Sequence, residues 1–478
     1  MAVLFLCNSE LGQAQIVLGV AANLIKEEKL QVHIASFPAL RSRISQINGI
    51  FGRSNPIRFH ALSGPSMTQG YFENFDEVSD MCHPCGIQGA AHSYTLFPKI
   101  VATYNNDQYR LVIEACRNCI LETCPALIVV DAQFWAGLDV CRNGSTPYFV
   151  ITPSGLWGVI AGIQPHGAIM WKYPVIGSGF PFPIPLSLIP ANIYLTIRLL
   201  LALYFSSTLS ALLLTRRSLH LEGQFPMFET YRKDEHYILP GQPATDFHYE
   251  HIPDNLTCCG PLTIPYPQLQ EQDPQLDSWL LQRRTVLVNL GSHIKLSVQN
   301  AIHLAKALQV TLERHSDAQV LWKLNCTAEG LSEARSTLQN EINQDRARIS
   351  AWLEVDPTAI MKSGQLGCVV HHAGANTFYE ALGCSGAPQI ALPMWLDTYN
   401  IATHMEYLDV GIWANKNAAP NIDRDELSRC LLTVMGDSKR SLVLRSRARE
   451  MQEACAAGGG SERAATKILN FLRLASKF

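Results

Sequence analysis

Charge is scarce in this chain of 478 residues: Asp, Glu, Lys and Arg make up 17%, and 38 Lys+Arg against 41 Asp+Glu leave a formal net charge of -3. No sequence-wide field is available to concentrate polyanions, which excludes a general nucleic-acid binder. Also missing are a long repeat, a low-complexity tract, a GxxxxGK[ST] loop and a GxGxxG after a strand; GSGFPF at Gly177 fails at its last glycine. Fourteen cysteines are too dilute for a disulfide scaffold, and the opening MAVLFLC lacks the basic start and cleavage site of a signal peptide. A reducing, cytoplasmic compartment is therefore expected. In MCHPC, Cys82, His83 and Cys85 stand too close together for a zinc pair, and no partner CxxC follows, so no metal site is expected.

What the chain does have is apolar residues, 47% of the total, which argues against disorder and for a greasy surface or a deep pocket. Ala2 to Cys7 is a short apolar run, as a strand buried on both faces should be. NSELGQ then supplies a turn, and Ile16, Val20 and Leu24 with Val17 and Ala21 mark a helix face of 3.6 period. Further strands are expected at Gln31–Ser36 and Ala126–Val130, the latter ended by Asp131. From Pro165 to Pro190 six prolines predict irregular structure. Ile193 to Leu214 is long enough to span a bilayer but contains Arg198 and is interrupted by Ser206, Ser207, Thr208 and Ser210, so a helical hairpin on the protein or an interfacial helix fits better than a span. The prolines between His248 and Asp277 read as a linker. A second α/β run follows, with strands expected at Thr285–Leu290, Gln319–Leu324, Arg348–Ala351, Cys368–His371 and Gln389–Pro393. The fold class is therefore α/β, two Rossmann-like doubly wound domains facing a cleft.

The densest segment is CVVHHAGANTFYEAL, Cys368 to Leu382. It predicts a buried strand, a Gly-bearing turn and a helix beginning near Asn376 or Thr377, both good N-cap residues. Free N–H groups at such a helix start, beside the His372 imidazole, make a cradle for a diphosphate. Glu380 lies about one turn further on, where a carboxylate can accept from a ribose diol. Downstream, LPMWLDTYN places Asp397 and Asn400 in the crevice. Upstream, Trp352 ends a strand in an indole able to stack on a base.

The series Trp352 … HHAGANTFYEAL … GAP … LPMWLD resembles the donor signature of UDP-sugar-dependent glycosyltransferases of the two-domain GT-B type, the UDP-glycosyltransferases, and LDTYN with ATHMEYLDVGIWANK looks most like their fungal branch. The likeness runs in order along the chain. It implies an N-terminal acceptor-binding domain, 1–247, with an apolar insert near 155–214 lining or covering the acceptor site; a linker, 248–280; a UDP-sugar-binding domain, 281–455; and a helical tail, 456–478, packing back on the first domain. It also implies that Trp352 stacks on uracil, and that Ser292, Thr377, His372 and the Gly374 and Ala375 backbone, at the helix start with Asn376, contact the diphosphate. Glu380 would hold the ribose hydroxyls and Asp397 the sugar hydroxyls. The implied reaction is inverting transfer of a hexose, most simply glucose, to a hydroxyl of a hydrophobic small molecule, with no cofactor or metal beyond the UDP-sugar co-substrate. Peripheral membrane attachment through 193–214 would suit lipophilic acceptors.

The chain departs from the family at several points. Thr398 replaces the usual Gln after the sugar-binding Asp, which shortens or removes a sugar contact. Glu354 and Val355 stand where the family has Pro-Gln. Most consequential, Gly12-Gln13 replaces Gly-His, and an amide cannot take a proton. Either another group serves as base, with Glu10, His166 and Asp131 as candidates, or the acceptor is acidic enough to need little help, or the chain binds nucleotide-sugars with weak or no transfer.

Overall fold

Short apolar runs become strands here because helices cover both faces of each sheet, so nearly every side chain along the central strands is buried, while the edge strands are partly exposed. The computed structural model describes residues 1–52, 54–292 and 294–475. The first sheet comprises β1 (Ala2–Leu6), β2 (Gln31–Ser36), β3 (Arg58–Ala61), β4 (Leu127–Asp131), β5 (Tyr148–Ile151), β6 (His236–Leu239) and β7 (Leu256–Cys258), all parallel, in the order 3-2-1-4-5-6-7. Leu4 and Leu6 point into one core with Val112, Cys116 and Leu212, and the alternating Val3 and Phe5 into another with Val17, Val20 and Ala21. That second core also takes Ala464, Ala465, Ile468 and Leu472 of the helix Gly460–Ala475. Burying Ile468 and Leu472 contributes about 1.5–3 kcal/mol each, enough to hold the last helix on the first domain.

The second sheet comprises β8 (Arg284–Asn289), β9 (Ala318–Lys323), β10 (Ala347–Ser350), β11 (Leu366–His371), β12 (Gln389–Ala391) and β13 (Gly411–Trp413), also parallel, in the order 10-9-8-11-12-13. In each sheet the strand order reverses once, between β1 and β4 and between β8 and β11. Loops leaving the carboxyl ends of strands at such a reversal diverge and open a crevice. Glu10 and Gln13 follow β1 and Gln133 follows β4, while Gly291 and Ser292 follow β8 and His372 follows β11. The two crevices are thus built from the segments that carry the polar candidates.

One expectation about organisation needs correction. The stretch 248–280 is not all linker: β7 completes the first sheet, and Leu269–Gln272 and Pro274–Leu280 are helical, because the prolines flank these elements or sit at a helix start, where the missing N–H costs nothing. The greasy run 193–214 is a helical hairpin, Ile189–Tyr204 and Ser207–Ser218. It breaks at Ser206, whose hydroxyl accepts the Leu209 N–H at 3.1 Å.

Candidate active site

On the second domain, the turn after β11 is strained and held by a neutral histidine. Ala373 has φ 63°, a region that non-glycine residues rarely occupy. Its N–H donates to His371 Nδ1 at 3.1 Å, and the other ring nitrogen of His371 meets Gln389 Oε1 at 2.8 Å. Complete burial pushes the imidazole down to about 4, so this tautomer persists at neutral pH. The helix that follows is Ala375–Cys384 with Gly374 as its N-cap. Asn376 and Thr377 are therefore not caps but second and third helical residues. The reason is local: Asn376 Nδ2 donates to Glu380 Oε1 at 2.8 Å across one helical turn, so the amide is used inside the helix. A glycine cap has no side chain with which to satisfy the first N–H groups, and it leaves the positive end of the helix open.

His372 lies against the β8 loop: a Cβ added to Gly291, which has φ +86°, would stand 2.8 Å from its Cε1, and one added to Gly374 would strike the same ring. Its ring centroid is 6.0 Å from that of Trp395. Ser292 follows Gly291 at the rim. Trp352 is exposed just past β10, and the Lys323 ammonium at the end of β9 sits 3.8 Å from its ring centroid. The same Nζ donates to the Gly291 carbonyl at 3.3 Å, so Lys323 joins the indole to the β8 loop. Lys323 is 8% exposed, and burial pushes its ammonium down from the usual lysine range. Glu380 is buried, which pushes its carboxyl up to about 8, the Asp356 carboxylate adding to the rise.

Past β12 the chain enters the helix Leu396–Tyr407. Asp397 is exposed in the cleft, whose walls desolvate its carboxyl enough to push it up to about 6. Thr398 is corrected from a sugar contact to a cap: it is buried, its hydroxyl accepts the Met394 and Trp395 N–H groups at 3.2 and 3.1 Å, and it donates to the Trp395 carbonyl. Asn400 is likewise not in the crevice. It is buried, donating to the Pro174 carbonyl at 2.9 Å and accepting the Gly177 N–H at 3.2 Å, which locks the helix to the first domain.

Across the cleft, Gln13 is tied off. Its Oε1 accepts from Asn8 at 2.7 Å, and its Nε2 donates to Gln133 Oε1 at 2.6 Å. Gln133 in turn donates its backbone N–H to Asp131 Oδ1 at 2.9 Å, so Asp131 is linked to Gln13 through intermediate residues, Gln133 and Asn8. Asp131 is fully buried, and burial pushes it up to about 7 against the pull of the Gln133 and Asn8 N–H groups. Glu10 is 8% exposed; its Oε1 accepts the Thr68 N–H at 2.8 Å, while Oε2 is buried and meets no donor among the described residues. Glu10 and Asp397, from opposite domains, both act on the Tyr71 phenol, which burial first and then these two carboxylates push above the usual tyrosine range. Both carboxylates therefore lie within electrostatic reach of Tyr71. Beside them a cavity is lined by Asn8, Met67, Tyr104, Gln133, Trp135 and Leu212. His166 is not part of this group: it lies exposed on a left-handed turn, φ 59°, where its carbonyl takes the Trp171 indole N–H.

Three positions escaped the sequence reading. His83, dismissed as a zinc ligand, accepts the Leu396 N–H on Nε2 at 3.0 Å and pairs through Nδ1 with the Pro84 carbonyl at 2.7 Å, which pins the start of the Asp397 helix to the first domain. Gln133 and Lys323 both stand at or just past strand ends, and that placement was the available signal. The domains are also clamped by Asp356, whose Oδ2 takes Arg43 at 2.6 Å and Gln15 at 3.2 Å.

Solved structures with this arrangement include the glycotransferase of kitacinnamycin (13% identical, TM-score 0.66, covering 98% of this chain and 99% of that one) and TcCGT1 in complex with UDP (17% identical, TM-score 0.65, 99% of each). The architecture is that of the GT-B glycosyltransferases. Among sequences, a family model described as "UDP-glucoronosyl and UDP-glucosyl transferase" matches residues 215–448. The chain is similar to glycosyltransferase sdnJ of Sordaria araneosa (32% identical over 97% of this chain and 96% of that one) and to the chloroplastic crocetin glucosyltransferase of Gardenia jasminoides (28% identical over 42% of this chain and 44% of that one). The chain belongs to the UDP-glycosyltransferase family, enzymes that use a UDP-sugar donor to glycosylate small-molecule acceptors.

Proposed function

We propose that this enzyme moves a hexose, most simply glucose, from its UDP-sugar to a hydroxyl of a hydrophobic small molecule of polyketide, terpenoid or sterol-like type, in the cytoplasm, with peripheral membrane attachment through 193–214. What supports an apolar acceptor is the lining of the small cavity between Tyr104, Trp135 and Leu212, where Val101, Phe134 and Phe225 add apolar surface and Asn8, Thr103 and Gln133 add polar groups. In this reading the diphosphate rests on the helix start at Gly374 to Thr377 with His372 and Ser292. Trp352 stacks on uracil, Glu380 takes the ribose hydroxyls and Asp397 the sugar hydroxyls.

Glu10 Oε2 receives the acceptor O–H proton while the oxygen attacks the anomeric carbon from the face opposite the diphosphate. The carbon–oxygen bond to the diphosphate breaks, UDP leaves with the electron pair, and the configuration inverts. The charge developing on UDP falls on preorganised dipoles, which commonly supply the largest share of barrier lowering. The reading calls for no metal, so turnover is expected to persist in excess EDTA. A rate that collapses with EDTA and returns with a divalent cation counts against it.

The deciding experiment is mass spectrometry of products after incubation with UDP-glucose, UDP-galactose and UDP-N-acetylglucosamine and a mixed aglycone library. One added hexosyl unit on an apolar alcohol or phenol is expected. The tied-off Gln13 amide favours one second reading, a nucleotide-sugar-binding protein with weak or no transfer; calorimetric binding of UDP-glucose without product would select it.

Lys323 tests the base platform. Lys323→Met keeps the aliphatic stem and removes the cation, worth about 0.5–2 kcal/mol against an indole. The KM for UDP-sugar is expected to rise severalfold with kcat nearly unchanged, whereas Trp352→Ala loses the stack itself and raises KM by about tenfold or more. Steady-state kinetics at saturating acceptor would show both.

A further inference from the structure

The hairpin Ile189–Ser218 has two apolar faces, and only one is used by the fold. Inward, Leu195, Leu203, Leu209 and Leu212 are buried, Leu212 lining the cavity beside Gln133. Outward, Tyr194, Ile197 and Leu201 follow one another at helical spacing, about half exposed, and Tyr204 and Phe205 at the hairpin tip are 79% and 76% exposed. Leu186 and Leu214 extend the patch at 85% and 62%. Scattered surface leucines need no explanation, but this many large exposed apolar side chains on one hairpin call for an occupant.

Charge identifies the occupant. From Val140 to Leu221 the chain contains no Asp or Glu, in a protein that has 41 of them elsewhere. Of the basic residues in this stretch, Arg142 is paired with Glu235, Arg216 with Asp139 and Lys172 with Glu250. Arg198, in the exposed apolar face, and Arg217, at the end of the second helix, point to solvent. Large apolar side chains with interspersed arginine and no carboxylate are the composition of an interfacial helix on an anionic lipid surface.

A full span is a poorer reading, although Leu186–Tyr204 is long and apolar enough for one. Asn192 is completely buried, accepts the Val175 N–H at 2.8 Å and donates to the Met170 and Tyr173 carbonyls at 3.0 and 3.2 Å. Pulling the helix into hydrocarbon would strand all four groups.

We propose that the outer face of the hairpin docks on an anionic bilayer surface, so that a lipid-dissolved acceptor passes along the hairpin to the cavity at Leu212 without crossing water. The delivery step rests on the acceptor reading above; the docking does not. The test floats the full chain with phosphatidylcholine vesicles, with and without phosphatidylserine, beside the triple variant Ile197→Asp/Leu201→Asp/Phe205→Asp. All three positions are exposed and none lines the cavity.

Wild type should float, and more so with phosphatidylserine, while the variant stays in the aqueous fraction. The variant should keep the wild-type rate on a water-soluble phenol and lose about tenfold on an acceptor held in the vesicles, as expected when a shared surface no longer raises local concentration. Wild type that does not float overturns the docking, as does sedimentation showing a wild-type dimer that the triple variant abolishes, which would make a second copy the occupant. A protein that floats yet glycosylates no aglycone supports the docking and refutes only the acceptor reading.

Discussion

Replacing Glu10 with Gln is expected to lower kcat for an aliphatic alcohol by about 10²- to 10⁴-fold, the range a positioned general base contributes. The substitution is conservative in the respect that matters for folding. The Gln carbonyl can still accept the Thr68 N–H that now binds Oε1, so only the proton-accepting capacity of Oε2 is lost. The KM for UDP-sugar should hardly move. A phenol, whose pKa near 10 lies far below that of an alcohol, should lose much less, because it needs less help to give up its proton. Asp131→Asn is the control. Asp131 is pushed up to about 7, and below that pH it is protonated and carries no base function. Were Asp131 the base, the rate on alcohols would rise through pH 7, and Asp131→Asn rather than Glu10→Gln would abolish it. Steady-state rates of both variants on an alcohol and a phenol, between pH 6 and pH 9, separate the two assignments. Wild-type rates in Glu10→Gln would return the family's missing histidine to the status of an open problem.

The parts of this enzyme legible in the sequence are those decided by short-range physics. Ala2–Leu6 and Cys368–His371 declare themselves as strands because a doubly covered sheet demands unbroken apolar runs, and Ile16, Val20 and Leu24 keep helical register because one face meets a core. The placement of Glu10, Asp131, His372 and Trp352 at or just beyond strand ends follows from the same pattern, since crevices form there. What could not be read depends on partners distant in sequence. Nothing near His83 announces that its ring will accept an N–H from Leu396, 313 residues away. Thr398 looks like a shortened sugar ligand until the chain turns back at Met394 and Trp395 and claims its hydroxyl. The cap at Ala375–Cys384 was misplaced for a related reason. Asn and Thr are favoured caps only when their side chains are free to reach back, and Asn376 is committed forward to Glu380.

Glu380 is expected to show the largest effect on the donor side, and in two opposite directions. In the free enzyme its carboxyl is pushed up to about 8, by burial first and then by Asp356, against about 4.3 in an unfolded chain. The folded state therefore holds its proton more tightly. Between about pH 4.5 and pH 8 the unfolded state gives up the proton first, so this group's contribution to stability declines as pH rises through that window. Glu380→Gln removes the liability, and its Tm should gain on wild type at pH 8 but not at pH 5. Binding runs the other way. A ribose diol donating two hydroxyl hydrogens favours the ionised carboxylate, so UDP-sugar binding at pH 7 should release about one proton. It would be seen as a dependence of the calorimetric heat on the buffer's ionisation enthalpy. In Glu380→Gln that release should vanish, and the Kd for UDP should rise about 10- to 100-fold, the worth of hydrogen bonds to a charged group. A variant that binds UDP as wild type does, with no protons released by either protein, would place the ribose elsewhere. Because the stability gain needs only the free enzyme and the proton release needs the complex, a folding defect cannot imitate the pair of results.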